Sequence, residues 1–257
     1  MIAVIGGSGF HAFLSDVDEV KVDTPYGPPS SPVAVGTVDG REVAFLTRHG
    51  RRHELPPHRI NYRANLWALR SLGVRRVVAS CAVGSLTTEL GPGDLVIPDQ
   101  LVDRTTSRVQ TYFDQGAGHV SFADPYCPQL RRLLLGTRAM VDGGIMVVIE
   151  GPRFSTRAES QWYAAQGWSL VNMTGHPEAV LARELALCYA AVAVVTDRDA
   201  GIGRSGSVDQ RDVFAVFAQN TDRLRALLRD VIGSLPPDRS CACANALDGI
   251  DVPFDLP

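Results

Sequence analysis

The sequence predicts an α/β layered fold, and three observations carry that prediction. Short apolar runs, several of them β-branched and apolar at every position, recur along the 257 residues. Stretches with helical periodicity fall between some of those runs. Turns rich in glycine or hydroxyl residues follow several of them. Strands covered on both faces read as continuous apolar segments, and strands alternating with helices build layers.

The expected strands cover residues 2–5, 43–46, 77–80, 95–97, 145–149 and 190–195. The first runs into Gly6-Gly7-Ser8-Gly9, where glycine permits a sharp turn and a close approach of backbone to ligand. Residues 61–72 predict a helix with Leu66 and Leu69 on one face and Gly73 as its stop. Residues 177–187 predict a second, opened by Pro177 and continued by good helix formers. Residues 213–232 predict one long amphipathic helix, with Val213, Phe217, Leu224, Leu227, Leu228 and Val231 at helical spacing. No repeat or linker divides the chain. It is expected to form one domain over residues 1–235, with an aperiodic tail over 236–257. That tail and the 205–209 loop are expected to be its mobile parts.

Composition narrows the function. Hydrophobic residues make up 45% and charged residues 21%, and the formal charge is −3, which gives no electrostatic reason to expect a nucleic-acid partner. The longest apolar stretch, residues 185–195, is too short for a membrane helix of ~20 residues. No basic segment precedes the first apolar run, so no signal peptide is expected. Five cysteines in a chain of this length do not make a disulfide framework. A cytoplasmic protein is expected, with its thiols reduced. Cys241 and Cys243 could bind a metal or form a strained bridge, but two cysteines supply half a tetrahedral zinc site at best, and no metal is expected.

Five places carry candidate chemistry. Gly7-Ser8-Gly9-Phe10-His11-Ala12 fits the dinucleotide pattern G-x-G-x-x-A, but Asp16, Asp18 and Glu19 leave little room for the crossover helix such a site needs. A turn whose amides and Ser8 hydroxyl hold a single phosphate fits better than a nicotinamide or flavin site; a purely structural turn is the alternative. Arg48, His49, Arg51, Arg52 and His53 crowd the end of the 43–46 run. Such a group either grips an anion through the guanidinium fork or is a solvated cationic face. Cys81-Ala82-Val83-Gly84-Ser85 and Asn172-Met173-Thr174-Gly175 read as strand-end turns that could complete an anion pocket or be turns only. Asp197 and Asp199 close the 190–195 run at the edge where open α/β sheets bind ligands. They either engage a base or belong to a solvated acidic loop.

Taken in order, "GGSG" (6–9), "TPYGPPS" (24–30), "RHGRRHELPPHRINYRANLWAL" (48–69), "AVGSL" (82–86), "PGDLVIPDQLVDRTT" (92–106), "ADPYCP" (123–128), "EGPRFSTRAES" (150–160), "NMTGHPEAVLARE" (172–184) and "VTDRDA" (195–200) resemble the methylthioadenosine phosphorylase branch of the purine nucleoside phosphorylase family. The resemblance implies a three-layer α/β/α fold around a mixed central sheet, and assembly as a homotrimer or homohexamer. It implies cleavage of a purine–ribose bond by inorganic phosphate, a co-substrate, with no cofactor. It implies phosphate held by Ser8, Arg48, His49, Cys81, Ala82 and Thr174. Met173 would lie against the ribose, and Phe154, Ser155, Asp197 and Asp199 around the purine, with Asp197 as the catalytic acid. His119 would be supplied by a neighbouring subunit to the 5′ pocket, and the tail would pack near the site or a subunit interface.

Ser155 and Asp197 match the adenine-preferring branch; the 6-oxopurine enzymes of the family carry Glu and Asn at these places. Val208 matches the apolar residue that reads a 5′-methylthio group. Cys81 stands where a threonine would supply phosphate with a hydroxyl, and Gly175-His176 replaces a Thr-Val pair. The expected reaction is phosphorolysis of 5′-methylthioadenosine. Broader use of adenosine, inosine or methylthioinosine is the alternative, and a nucleoside- or dye-binding protein without turnover is a third reading.

Overall fold

Successive residues of the central strands enter two different cores, and that alternation makes the molecule three-layered. The computed structural model describes residues 1–6, 14–116, 118–137 and 140–257; Ser8 lies outside them. In β1 (Ile2–Gly6) Ala3 and Ile5 join one core while Ile2 and Val4 join the other. In β11 (Cys188–Arg198) Tyr189, Ala191, Ala193 and Val195 face the first core, and Cys188, Ala190, Val192 and Val194 the second. The first core is closed by Leu66 and Leu69 of α1 (Tyr62–Ser71) and Ala179 and Leu181 of α4 (Gly175–Glu184). The second is closed by Leu130 and Leu134 of α2 (Pro128–Thr137) and by Leu224, Leu227 and Val231 of α6 (Thr221–Ser234). A side-chain period of two on a sheet buried on both faces yields this split.

The remaining strands are β2 (Ser15–Val20), β3 (Val33–Val38), β4 (Arg41–Thr47), β5 (Arg76–Ser85), β6 (Leu95–Ile97), β7 (Gln100–Arg104), β8 (Val141–Asp142), β9 (Ile145–Ile149) and β10 (Leu170–Asn172). They order as β2-β3-β4-β1-β5-β10-β9-β7, with β11 pairing β5 and β6, and β6 pairing β8. The sheet is mixed, as the resemblance implies: β4, β1, β5 and β11 run parallel, whereas β10 meets β5 antiparallel. The parallel strands therefore present their carboxyl ends along one edge. Near that edge a bulge shifts the β11 register, so that Val195 pairs with Val83 but Asp197 with Gly84.

Several expectations are corrected. The expected turn at 81–85 is strand, because β5 continues along β11 as far as Ser85. The expected long helix is two, α5 (Gln210–Gln219) and α6; Asn220, at φ −95° and ψ 0°, caps both and hydrogen-bonds the Val216 carbonyl through Nδ2. Helix α4 stops at Glu184, since the chain must turn before β11 opens at Cys188. Helix α3 (Arg157–Ala165), with Thr156 and Glu159 forming a capping box, was not signalled by strong apolar periodicity.

The tail, expected to be mobile, is tied down. The Arg76 guanidinium donates to the carbonyls of Pro236 and Pro237, and Arg70 donates to that of Pro257. Phe254 packs on Trp67, Tyr112 and Phe113 at 5.5–5.9 Å between ring centres. Cys241 and Cys243, expected as an isolated pair, meet Cys127 and Cys188. No helix among the described residues is long and apolar enough to cross a membrane.

Candidate active site

The carboxyl edge of β4, β5 and β11 opens into a cavity of about 390 Å³. His49 reaches it from just beyond β4, Cys81, Ala82 and Gly84 from β5, Met173 and Thr174 from the turn after β10, and Asp197 and Asp199 from the end of β11. Phe154 and Ser155 arrive on the loop before α3, and Val213 and Phe214 on the first turns of α5. Residues distant in sequence thus converge at the edge where open α/β sheets place ligands.

On one wall, Asn172 organises the candidate phosphate side. Its Oδ1 accepts from the amides of Thr174 (2.7 Å) and Gly175 (2.6 Å), and its Nδ2 donates to the Ala82 carbonyl at 3.0 Å. The turn amides expected to face an anion are therefore used internally, and the Thr174 hydroxyl, held only by a long 3.5 Å contact to the same Oδ1, is the group most readily turned toward the cavity. The His49 Nδ1–H donates to the Leu55 carbonyl at 2.8 Å. Burial, reinforced by the Arg48 charge, pushes the His49 imidazole down to about 4, so it is neutral at pH 7. Its Nε2 then bears a lone pair and accepts a hydrogen bond. Burial also raises the Cys81 thiol to about 12 and keeps it protonated.

The expected cationic knot does not form. Arg51 pairs with Glu19 at the surface, and Arg52 is exposed. Arg48 is 3% exposed and does not line the cavity. Its Nε and Nη2 grip both oxygens of Glu178 at 2.8 and 3.0 Å, and Nη1 donates to the Ser80 carbonyl at 2.9 Å. The Tyr189 hydroxyl adds a third donor to Glu178. The guanidinium is thereby fixed next to cavity-lining Cys81, with one N–H on each terminal nitrogen outside these bonds.

The acid lines the same cavity. Asp197 Oδ2 accepts from the Thr196 hydroxyl at 2.8 Å, but Oδ1 is buried with no partner. Burial raises its carboxyl to about 6, against the opposing Thr196 bond and with help from the Asp199 charge. The Ser155 hydroxyl is likewise buried and unpartnered. Asp199 is already engaged: it accepts from Ser160 Oγ at 2.7 Å, and its amide donates to the Ser85 carbonyl. A Cβ at Gly84 would sit 3.1 Å from Asp197 Oδ1 and 3.0 Å from Val171, so glycine makes the room in which the carboxylate stands.

Two expected contributors lie elsewhere on the chain. Val208 does not line the cavity; Asp209 caps α5 by accepting from the Arg211 amide, and buried Val213 and exposed Phe214 line it instead. His119 is exposed and away from the cavity of its own chain. Sequence reasoning missed Arg108, whose buried guanidinium donates to the carbonyls of Met173, His176, Ile149 and Glu150 and so clamps the two loops beside the cavity. Four of its partners are main-chain carbonyls and a fifth is the Tyr62 hydroxyl, a set that leaves no pattern in the sequence.

Residues 1–233 match the family model described as the phosphorylase superfamily. The chain is 61% identical over 258 residues to the S-methyl-5′-thioadenosine phosphorylase of Mycolicibacterium smegmatis, with all of both chains covered. It is 58% identical over 272 residues to the purine nucleoside phosphorylase of Streptomyces coelicolor, covering all of this chain and 97% of that one. Among solved structures, a methylthioadenosine phosphorylase from an antarctic soil metagenomic library superposes with a TM-score of 0.91 at 40% identity, over 97% of this chain and 91% of that one.

Proposed function

The chain belongs to the phosphorylase superfamily, and on that premise we propose that it cleaves 5′-methylthioadenosine with inorganic phosphate, giving adenine and 5-methylthioribose 1-phosphate. It is an enzyme, a pentosyltransferase. The observation that carries the reading is the charge-averse Asp197 carboxyl, with one buried oxygen unpartnered, in the same nucleoside-sized cavity as His49, Cys81 and Thr174.

The glycosidic carbon gains positive charge as the purine departs, and a phosphate dianion beneath it stabilises that charge and then bonds to the carbon. Holding the dianion there is mainly an orientation and electrostatic effect. Thr174 and Cys81 donate to phosphate oxygens. Neutral His49 accepts from the single P–OH of monohydrogen phosphate, which turns the bare oxygens toward the sugar. Arg48, its charge offset by Glu178, braces the wall behind Cys81, and Ser8 is a further donor. The leaving purine gathers negative charge, and Asp197 in its neutral form donates to N7, a step worth roughly 10²–10⁴-fold. Once ionised, the same carboxylate accepts from the 6-amino group. Ser155 completes the hydrogen bonding of the base, while Phe154 and Met173 lie against base and ribose. Val213 and Phe214 give the 5′ end an apolar wall that leaves a hydroxyl unpaired and suits a methylthio group.

This reading keeps phosphate as co-substrate, without an organic cofactor, and places the reaction in the cytoplasm. It takes residues 1–235 as the catalytic domain, with the tail braced against it. It assembles the chain as a trimer or a pair of trimers, His119 reaching a neighbour's 5′ pocket. The name of the Streptomyces relative favours a second reading, wider purine nucleoside use. Phosphorolysis of methylthioadenosine, adenosine, inosine and methylthioinosine, each with and without phosphate, separates the two. Release of adenine only with phosphate, and highest kcat/KM for methylthioadenosine, is the expected result. A preference for inosine refutes the base assignment, and equal use of adenosine refutes the 5′ assignment.

A further inference from the structure

Four cysteines from three separate parts of the chain bring their sulfurs together away from the cavity. Cys127 immediately precedes α2, Cys188 opens β11, and Cys241 and Cys243 flank Ala242 in the tail. All four sulfurs lie within 4.8 Å of one another, with Cys188 and Cys127 at 3.3 and 3.5 Å from Cys241. None of the four lines the candidate active site. We propose that they form a tetrathiolate zinc site that fastens the C-terminal tail to the central sheet.

The geometry suits the ion. Zinc–sulfur bonds of about 2.3 Å in a tetrahedron put the sulfurs about 3.8 Å apart, a spacing these sulfurs already approach. Four thiolates and no oxygen donor select a soft, thiophilic ion over magnesium or calcium. Four protein ligands leave no open position, which marks a structural site rather than a catalytic one. Cys127, Cys188 and Cys243 are 1%, 0% and 4% exposed, so the ion would be shielded, while partly exposed Cys241 gives it a way in.

The flanking chain is built to hold this arrangement. Arg76, the register partner of Cys188, donates to the carbonyls of Pro236 and Pro237. Arg239 donates to the Ala186 carbonyl at 2.8 Å, and the Gln129 carboxamide bonds Asp238 and Ser240 on the tail. These bonds deliver the tail cysteines to the two body cysteines, and the arginines oppose the net −2 charge of a zinc tetrathiolate. Binding releases one proton from each thiol and moves no electrons: Zn²⁺ exchanges for four H⁺.

The test uses the full-length protein, purified reduced and metal-free, then given zinc and desalted. Elemental analysis is expected to find about one zinc per chain. Cobalt in its place is expected to show thiolate-to-cobalt charge transfer and the intense d–d bands of a tetrahedral sulfur site. Cys241→Ser and Cys243→Ser are each expected to lower zinc affinity at least tenfold, whereas Cys81→Ser, which packs in the other core, retains the metal. Failure of the folded wild-type protein to retain zinc, a stable iron centre formed in preference to zinc, or peptide mapping that finds these cysteines joined as disulfides in protein purified without reductant would each overturn the proposal.

Discussion

Replacing Asp197 by Asn should make the protein more stable and far less active. The native carboxyl titrates at about 6 rather than at its ordinary 3.8, because burial penalises the ionised form. A displacement of about two pH units corresponds to about 3 kcal/mol spent on holding the carboxylate inside. The raised value means that the fold favours the protonated acid, so this group's stabilising contribution is present below 3.8 and is lost as pH climbs through 6. Asn carries no such penalty. The variant should therefore exceed the wild type by up to about 3 kcal/mol at pH 8, roughly 6–12 °C in melting temperature, with the advantage fading to nothing near pH 3.5. Methylthioadenosine turnover should fall by roughly 10²–10⁴-fold at neutral pH, because N7 loses its proton donor. Paired denaturation series across pH, at one protein concentration and without substrate, read the first effect, and adenine release reads the second. A stability difference that does not vary with pH would refute the burial argument, and wild-type turnover would remove Asp197 from the chemistry.

Glu178→Gln should destabilise the fold by roughly 3–5 kcal/mol, since it strands the buried Arg48 charge; equilibrium denaturation showing less than about 1 kcal/mol would mean that the pair is not isolated from solvent. Gly84→Ala adds a methyl 3.1 Å from Asp197 Oδ1, and should lower kcat/KM at least tenfold at a stability cost of about 1–3 kcal/mol; a lone loss of stability would place Gly84 outside the site. His49, neutral until about pH 4, contributes stability that is present above 6.5 and lost as pH falls toward 4, and His49→Gln should flatten that acid limb in a pH series of melts.

The strands legible in the sequence were those apolar at every position, such as residues 145–149, because burial on both faces leaves no polar alternation to confuse. The edge strand β2, with sequence SDVDEV and almost wholly exposed, carries no such signal and is a strand through its pairing with β3. Cys81–Ser85 looked like a turn from its small residues, and long pairing with β11 overrode that local preference. The apolar period runs unbroken from Val213 to Val231, so only Asn220 hinted at two helices. Of the candidate site, His49, Cys81, Ala82, Phe154, Ser155, Met173, Thr174, Asp197 and Asp199 do meet around one cavity. The retreat of Arg48 behind its wall depends on Glu178, 130 residues away, and no local pattern encodes that partnership. The cysteine cluster was hidden for the same reason, since its members are scattered over three segments.

The register slip in β11 has a consequence for how such a site can change. Without it Thr196 would stand opposite Gly84, and Asp197 opposite Ser85, one rung further out. The acid meets the vacant side of a glycine only because the strand carries one residue more than its neighbour. Deleting Thr196 would leave Asp197 opposite Gly84 in a plain ladder, without the slip and without the hydroxyl that donates to its Oδ2. Chain length, as much as residue type, is then a heritable determinant of this pocket, and a search of variants confined to point substitutions would never sample it.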